Sequence, residues 1–284
     1  MPRPQPWRIF GVDFTSRPRA RKPITIAAGH LQGRRFVLAG IEECSDWASY
    51  EAWLRKPGPW IAGFDFPFGL PRCAVLDLQW PTDYRRLVHH CRSLGRIAFR
   101  GVLDRYREGR PVGSRYAHRV TDLPAKSHSP LKLVNPPVGL MFLEGAPRLL
   151  DAGVSIPGLA EGDPDRLAFE AYPGFTAREI FKGSYKNDSV AKQTPARRLA
   201  RTMVVDRLVS TANPFGFALA AVPTLLGSLV SDASGDRIDA VICAMQAAWA
   251  WQRRGENYGL PRAMDPLEGW ILMVPDTKAG GVRK

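Results

Sequence analysis

The sequence predicts an α/β protein with a mixed central sheet, in which the first three strands are antiparallel and helices flank the sheet. Two observations lead to this fold class. Three apolar segments separated by short turns open the chain, and a helical pattern and a fourth apolar segment follow them within the first 65 residues. Later, residues 234–251 form a helical pattern that is too apolar on all sides for a surface helix.

The first 65 residues are predicted to run strand, strand, strand, helix, strand. The turn HLQG separates the second and third strands, and Ser45 is a candidate N-cap for the helix, which the sequence PGP stops. The fourth strand ends on Asp65. The predicted strands cover residues 7–13, 23–29, 34–41 and 60–65, and the predicted helix covers residues 46–56.

The segment 66–165 differs from the rest of the chain in composition. It contains a long helical pattern that starts at Thr82, which Gly95 and Gly101 weaken or divide. Between residues 70 and 150 there are 14 Lys and Arg residues against 6 Asp and Glu residues. We interpret 66–165 as a basic, largely helical insertion or cap within a single domain that spans residues 1–284.

Regular patterns return after the insertion. Residues 166–174 are predicted to form a strand, and Thr194 is predicted to cap a helix with Pro195 at its first position. The buried helix follows from about residue 234, and residues 267–274 are predicted to form the last strand.

The N-terminal residues contain no apolar signal-peptide core, and the longest apolar run, 215–230, is too short to span a membrane comfortably and contains Pro223. We therefore expect a cytoplasmic protein without a membrane partner. The four cysteines form no CxxC pair, which makes a zinc or disulfide framework improbable.

The net charge of +13 favours a polyanionic partner, and a nucleic acid is the obvious candidate. The alternative is that the charge reflects only an arginine-rich proteome. Composition alone does not choose between these two explanations, and it gives no oligomeric state.

Acidic residues stand at positions where a sheet would bring them together. Asp13, Asp65 and Glu170 each end a predicted strand, and Asp236 and Asp239 share one face at the start of the buried helix. Strand ends often form one rim of an α/β sheet, where sites occur. Carboxylates that converge there repel one another unless a cation neutralises them, and Mg²⁺ or Mn²⁺ prefers such oxygen ligands.

Each acid also has a structural alternative. The alternatives are a favourable helix dipole for Asp236, an arginine partner for Asp239, turn caps for Asp13 and Asp65, and an ordinary strand-end charge for Glu170. The order of the five acids and their secondary-structure setting favour a common site.

This order of elements and acids resembles the ribonuclease H-like fold, and the late Asp-x-x-Asp helix is similar to that of RuvC-type junction resolvases. More closely, the segments GVDFTS, GFDFPFGLP, FEAYPG, DRIDAVICA and EGWI resemble, in this order, domain-of-unknown-function family 429, the predicted RNase H-like nucleases. The resemblance extends from residue 8 to about 274 and covers the insertion poorly. It implies the fold more directly than the activity.

The resemblance implies a role for each acid. Asp13 matches the first-strand acid and Asp65 the fourth-strand acid, while Asp239 and its partner Asp236 match the helix pair. Glu170 matches the E-x-Y-P segment and has no assured ligand role. Resolvases typically carry Glu on the fourth strand, so the shorter Asp65 would weaken or reposition a second metal.

Three functions are compatible with these patterns. The first is a metal-dependent nuclease in which Asp13 bridges two cations, Asp65 and Asp239 each hold one, and Asp236 ligates or orients water. In this function Lys182, Lys186 and Lys192 are candidate phosphate contacts, with a solvated face as the alternative.

The second function is a phosphotransferase of the actin and sugar-kinase type, which the absence of glycine directly after Asp13 disfavours. The third is a non-catalytic module that binds nucleic acid through basic and aromatic residues.

Overall fold

The structure is a computed structural model that describes residues 6–276, so the ends of the predicted domain, 1–5 and 277–284, lie outside the described residues. A seven-stranded sheet forms its centre. The strands are β1 (Arg8–Asp13), β2 (Ile24–Gln32), β3 (Arg35–Cys44), β4 (Trp60–Phe64), β5 (Val154–Ser155), β6 (Asp163–Glu170) and β7 (Ala218–Ala220). The helices are α1 (Trp47–Leu54), α2 (Arg72–Asp77), α3 (Tyr84–Glu108), α4 (Asp122–Ala125), α5 (Val138–Asp151), α6 (Pro173–Ile180), α7 (Pro195–Val209), α8 (Pro223–Ser231) and α9 (Asp236–Gln252), with 3₁₀ turns at Val190–Lys192 and Arg254–Gly259.

The strand order across the sheet is β5-β6-β4-β1-β2-β3-β7. Strands β1, β2 and β3 pair antiparallel, and β4 lies parallel to β1 on its other side. Strand β6 pairs parallel with β4, and the short strands β5 and β7 pair parallel at the two edges. The predicted mixed sheet, with antiparallel first strands and the fourth strand beside the first, is confirmed.

Strand β1 separates two hydrophobic cores because successive side chains of a strand point to opposite faces. Phe10 and Val12 belong to the core that also contains side chains of α1, α3 and α5. Ile9 belongs to the core that contains side chains of α7 and α9. A central strand covered on both faces is apolar almost throughout, which explains the uninterrupted apolar runs of β1 and β4.

Helix α9 lies directly against the backbone of β1 and β4. A Cβ atom at Gly11 would collide with the backbone of Ala240 and Ala244, and one at Gly63 would lie 2.5 Å from the carbonyl oxygen of Cys243. The small residues on both elements allow this close approach, and the helix is buried as its composition predicts. The packing fixes the start of α9 relative to the ends of both strands.

The segment 66–165 contains helices α2 to α5, and most of its buried side chains join the core on the α1 face of the sheet. The segment also contains the edge strand β5 and the first residues of β6. The predicted insertion is therefore helical over much of its length, and its C-terminal part belongs to the central sheet.

The helix ends confirm the sequence prediction in part. Asp46 caps α1, because its carboxylate accepts a hydrogen bond from the Ser49 amide at 2.8 Å, and Ser45 does not act as the cap. Helix α3 is capped by Asp83 and is kinked at Gly95, whose φ of 69° interrupts the helical backbone. The predicted Thr194 cap with Pro195 at the first position of α7 is confirmed.

The predicted last strand at 267–274 is wrong. Ile271 forms a single parallel bridge with Glu170, and the backbone has positive φ at Gly269 and Met273, which extended strands do not allow. The apolar side chains of this segment are buried in an irregular loop against the end of β6. Within residues 6–276, no helix has the length and apolar character needed to cross a membrane.

We predict that Gly11→Ala destabilises the protein by about 1–3 kcal/mol or more, because the added methyl group meets helix backbone that cannot move aside. Gly40→Ala is the matched control in β3, since nothing lies within 4 Å of its added Cβ. Urea unfolding of both variants measures the difference. Equal stability of Gly11→Ala and the parent protein would contradict the packing of α9 on β1.

Candidate functional site

Asp13 and Asp65 are neighbours because β1 and β4 end in register. Val12 pairs with Phe64 across the parallel ladder, and the Asp65 amide donates to the Val12 carbonyl oxygen at 2.9 Å. The next residue of each strand is the aspartate. Two carboxylates therefore leave adjacent strands at the same edge of the sheet, as their positions in the sequence predict.

Helix α9 brings two more carboxylates to this edge. Asp236 and Asp239 lie in its first turn, and both are buried, Asp239 completely. Asp239 directly precedes Ala240, whose carbonyl oxygen lies against Gly11. The charges of both helix residues act on Asp13, and the charge of Asp239 is the strongest neighbouring charge on Asp65. The four predicted aspartates therefore converge, and we call them the carboxylate cluster.

Lysine side chains from two loops pair with the helix members of the carboxylate cluster. The Lys186 ammonium and the Tyr185 hydroxyl both donate to Asp239. The Lys22 ammonium lies 2.8 Å and 3.0 Å from the two carboxylate oxygens of Asp236, and it also contacts Asp188 at 3.0 Å.

Lys186 was predicted to contact a phosphate, whereas its ammonium group donates to Asp239 in the structure. Neither Lys22 nor Tyr185 was among the predicted site residues. Lys22 stands in a loop rich in basic residues, and no local pattern distinguishes it from its neighbours. Lys182 and Lys192 are exposed and form no ion pair within residues 6–276.

The strand members of the cluster lack comparable partners. Among the residues that the structure describes, no hydrogen bond or ion pair reaches the side-chain carboxylate of Asp13 or Asp65. Burial is the main cause that raises the pKa of Asp13 well above its usual value, and the charges of Asp236 and Asp239 add to it. Burial, followed by the charge of Asp239, raises the pKa of Asp65 to about 7. Ionising these two groups is therefore unfavourable without a further positive charge.

The donor set fits a hard divalent cation in chemistry and in charge. All four candidate ligands are carboxylates, which Mg²⁺ and Mn²⁺ prefer, and four aspartates against two lysines leave a formal charge of −2. The arrangement itself differs from a metal centre. Within residues 6–276, no three His, Cys, Asp or Glu side chains are placed so that they could hold one ion. Lysine ammonium groups lie on Asp236 and Asp239, where a cation would bind.

Glu170 has a different role from the cluster. It ends β6 in register with Phe64, but Arg119 binds both of its carboxylate oxygens, at 2.6 Å and 2.7 Å. Arg119 also binds Asp122 at 2.8 Å, and all three side chains are buried. Glu170 is thus fully paired, and it anchors the segment 66–165 to the sheet. The spacing of Arg119 and Asp122 is an i, i+3 pair, but nothing in the sequence links that pair to Glu170.

Two cavities flank the carboxylate cluster. The first, of about 420 Å³, has Asp65 in its wall, and residues of the segment 66–165, among them Phe66, His128 and Met141, form part of its lining. The second, of about 640 Å³, is polar and has Asp236 in its wall. Residues of the segment 66–165 therefore reach the edge of the sheet where Asp65 lies.

Comparison with known proteins gives no relative for this chain: no family model, no curated protein and no solved structure matches it. The resemblance to domain-of-unknown-function family 429 therefore stays a prediction that is based on the motifs and their order.

We predict that the metal-free protein loses stability as the pH rises from 4 to 8, and that Asp65→Asn reduces this loss. The pKa of Asp65 is about 7 in the folded chain and 3.8 without its surroundings, so the folded state binds more protons between these values. The destabilisation from Asp65 is therefore absent below pH 4, grows as the pH rises from 4 to 7, and is complete above pH 7. Asp65→Asn should melt at a higher temperature than the parent protein at pH 8 and at the same temperature at pH 4.

Thermal unfolding in EDTA across this pH range checks the prediction. A gain of 1 kcal/mol corresponds to roughly 2–4 °C for a chain of this size. Asp206→Asn, which changes an exposed aspartate on α7, is the control and should follow the parent protein at every pH. A lower melting temperature of Asp65→Asn at pH 8 would refute the repulsion inferred at this site.

Proposed function

We propose that this protein is a metal-dependent nuclease that hydrolyses phosphodiester bonds of nucleic acids with Mg²⁺ or Mn²⁺. The observation that carries the proposal is the convergence of four aspartates at one edge of the sheet, three of them buried and Asp65 half-buried, which Lys22 and Lys186 balance in part. A protein gains nothing in stability from such an arrangement, because buried like charges repel each other. Perturbed carboxylates beside a cavity are typical of functional sites.

Each aspartate has a role in this proposal. The charges of Asp236, Asp239 and Asp65 all act on Asp13, so Asp13 would bridge two cations. Asp65 and Asp239 would each hold one cation, and Asp236 would ligate or orient water. Bound cations supply an activated water and stabilise the leaving oxygen of the phosphodiester.

The two lysines would exchange partners when the site is occupied. Lys186 is 43% exposed although its ammonium contacts the fully buried Asp239, so its side chain can turn towards a substrate phosphate without unfolding its loop. Lys22 is partly exposed in the same way beside Asp236. In the unoccupied state these lysines keep part of the cluster ionised and folded.

The proposed partner follows from charge. The chain carries +13, and Arg19 and Arg21 are exposed beside the second cavity without an ion pair in the described part of the chain. These arginines lie next to Lys22, and hence next to the cluster. Positive charge at this place offsets the repulsion between a phosphate and the carboxylates.

The strand order supports the finer proposal that the fold is RNase H-like. Three antiparallel strands followed by a parallel fourth strand beside the first, with acids ending the first and fourth strands and a helix pair completing the set, match what the resemblance implies. Within this proposal, α9 is the helix that delivers the last two ligands.

We predict that the purified protein cleaves at least one member of a panel of single-stranded, duplex and branched DNA and RNA when Mg²⁺ or Mn²⁺ is added. Asp13→Asn should reduce the rate by several orders of magnitude, because it removes the bridging carboxylate.

Substrate binding should weaken by roughly 0.7–0.9 log units per log unit of salt for each phosphate neutralised, and Asp13→Asn should leave this slope nearly unchanged.

Asp206→Asn is the control variant and should cleave at the parent rate, since Asp206 is exposed on α7. Absence of cleavage across the whole panel, together with saturable ATP binding, would favour the phosphotransferase alternative. Equal activity of Asp13→Asn and the parent protein would remove the cluster from the reaction.

A further inference from the structure

The cavity beside Asp65 has the size and lining of a small-molecule site. Its volume of about 420 Å³ falls within the range of roughly 300–1,000 Å³ that ligand pockets occupy. Its floor contains Asp65 and Phe66, which follow β4, and its walls come from α6, the loop 181–186 and the segment 66–165. The site is built by three separate parts of the chain.

Two partly buried aromatic rings, Tyr172 and Phe181, stand in the wall of this cavity. The backbone of Tyr172 is held by Gln246 of α9, whose amide group exchanges two hydrogen bonds with it at 3.0 Å and 3.2 Å. Gly174 lies directly against the Tyr172 ring and Gly183 against the Phe181 ring. Both rings are therefore positioned by their neighbours, and aromatic rings are the groups on which a planar base stacks.

The lining includes four basic side chains, Arg119, His128, Arg178 and Lys186, against two acidic ones, Asp65 and Glu170. Arg178 lies 5.3 Å from the centre of the Tyr172 ring and donates to its hydroxyl at 3.3 Å. His128 and Lys186 also belong to the lining, and Lys132 lies 3.1 Å from His128. A cavity with aromatic rings in its lining and more basic than acidic side chains fits a ligand that joins a planar ring to an anionic group.

Basic side chains also line the second cavity, beyond the space that one such ligand needs, together with the acids Glu43, Asp188, Asp232 and Asp236. On the other side of the carboxylate cluster, Arg19, Arg21 and Arg237 line the second cavity together with Lys22. Of these, Arg237 is paired with Glu43 at 3.0 Å and Lys22 with Asp236. Arg19 and Arg21 have no acidic partner within residues 6–276. The ligand is thus expected to extend across the cluster as a chain of phosphates.

We propose that the cavity beside Asp65 receives one unpaired nucleobase of a nucleic-acid strand, stacked on Phe181 and Tyr172, while the adjoining backbone crosses the carboxylate cluster. This inference rests on the proposed nuclease function and specifies its substrate class as single-stranded nucleic acid or a nucleotide flipped out of a duplex. A paired base cannot enter, because its faces and its pairing edge are covered inside the duplex.

Binding measured without cleavage tests this proposal. Fluorescence anisotropy with labelled oligonucleotides in EDTA compares a single strand, the same strand with abasic sites throughout, and the matching duplex. Phe181→Ala should weaken binding of the intact single strand by roughly 5- to 150-fold, the range for loss of one stacking side chain. It should leave binding of the abasic strand and of the duplex unchanged.

Two further variants control for folding and for general loss of aromatic surface. Phe181→Leu keeps most of the apolar volume and should weaken single-strand binding less than Phe181→Ala. Trp251→Ala removes a partly buried ring at the far end of α9 from the cluster, where it stacks on Trp7, and should not affect binding. The melting temperature of each variant shows whether the fold is retained.

The outcomes separate this inference from the nuclease function itself. If Phe181→Ala lowers intact single-strand and abasic-strand binding equally, or if the parent protein binds the abasic strand as tightly as the intact one, the base pocket is refuted even when cleavage occurs. Base-dependent binding without any cleavage would support the pocket and reject the nuclease function. Competition by a mononucleotide at the concentration at which the oligonucleotide binds would overturn the extended, multi-phosphate ligand.

Discussion

Repulsion among the carboxylates of Asp13, Asp65, Asp236 and Asp239, of which Asp65 is half-buried and the others are buried, is the constraint on which the rest of the site depends. Burial lowers the local dielectric response and strengthens the repulsion between like charges. Two lysines reduce this repulsion. Lys22 reaches Asp236 from the loop between β1 and β2, and Lys186 reaches Asp239 from the loop after α6. Asp13 and Asp65 have no comparable partner among the described residues, and their raised pKa values are the feature on which the proposed function rests.

Two other buried acids, Glu170 and Asp122, are hydrogen-bonded to partners within the protein. Arg119 binds Glu170 and Asp122, and Glu170 also accepts a hydrogen bond from the Phe68 amide at 2.9 Å. Every polar group of this network has a partner, as buried networks require. The contrast with Asp13 and Asp65 is informative because Glu170 also ends a strand, β6, which lies beside β4 in the same sheet. The first set of acids holds the segment 66–165 in place, and the carboxylate cluster is the set that we propose binds a ligand.

Much of the fold and the acid set could be predicted because they depend on local patterns. Hydrophobic periodicity predicts the strand ends at Asp13 and Asp65 and the helix pair, and the short turns between the first strands predict their antiparallel pairing. The partners Lys22 and Arg119 could not be predicted, since their contacts join residues more than 50 positions apart. The segment 267–274 was misjudged because buried irregular backbone and a buried strand have the same apolar composition, and only the positive φ at Gly269 and Met273 distinguishes them.

The most direct test of the account is whether the carboxylate cluster binds a divalent cation. The melting temperature of the parent protein should rise on titration with MgCl₂ or MnCl₂ at pH 7.5, because a ligand that binds only the folded state stabilises it by about 2.7 kcal/mol at 100 times its Kd. Asp206→Asn should show the same rise, and Asp239→Asn should show none. Absence of a rise in the parent protein, or an equal rise in Asp239→Asn, would contradict the account.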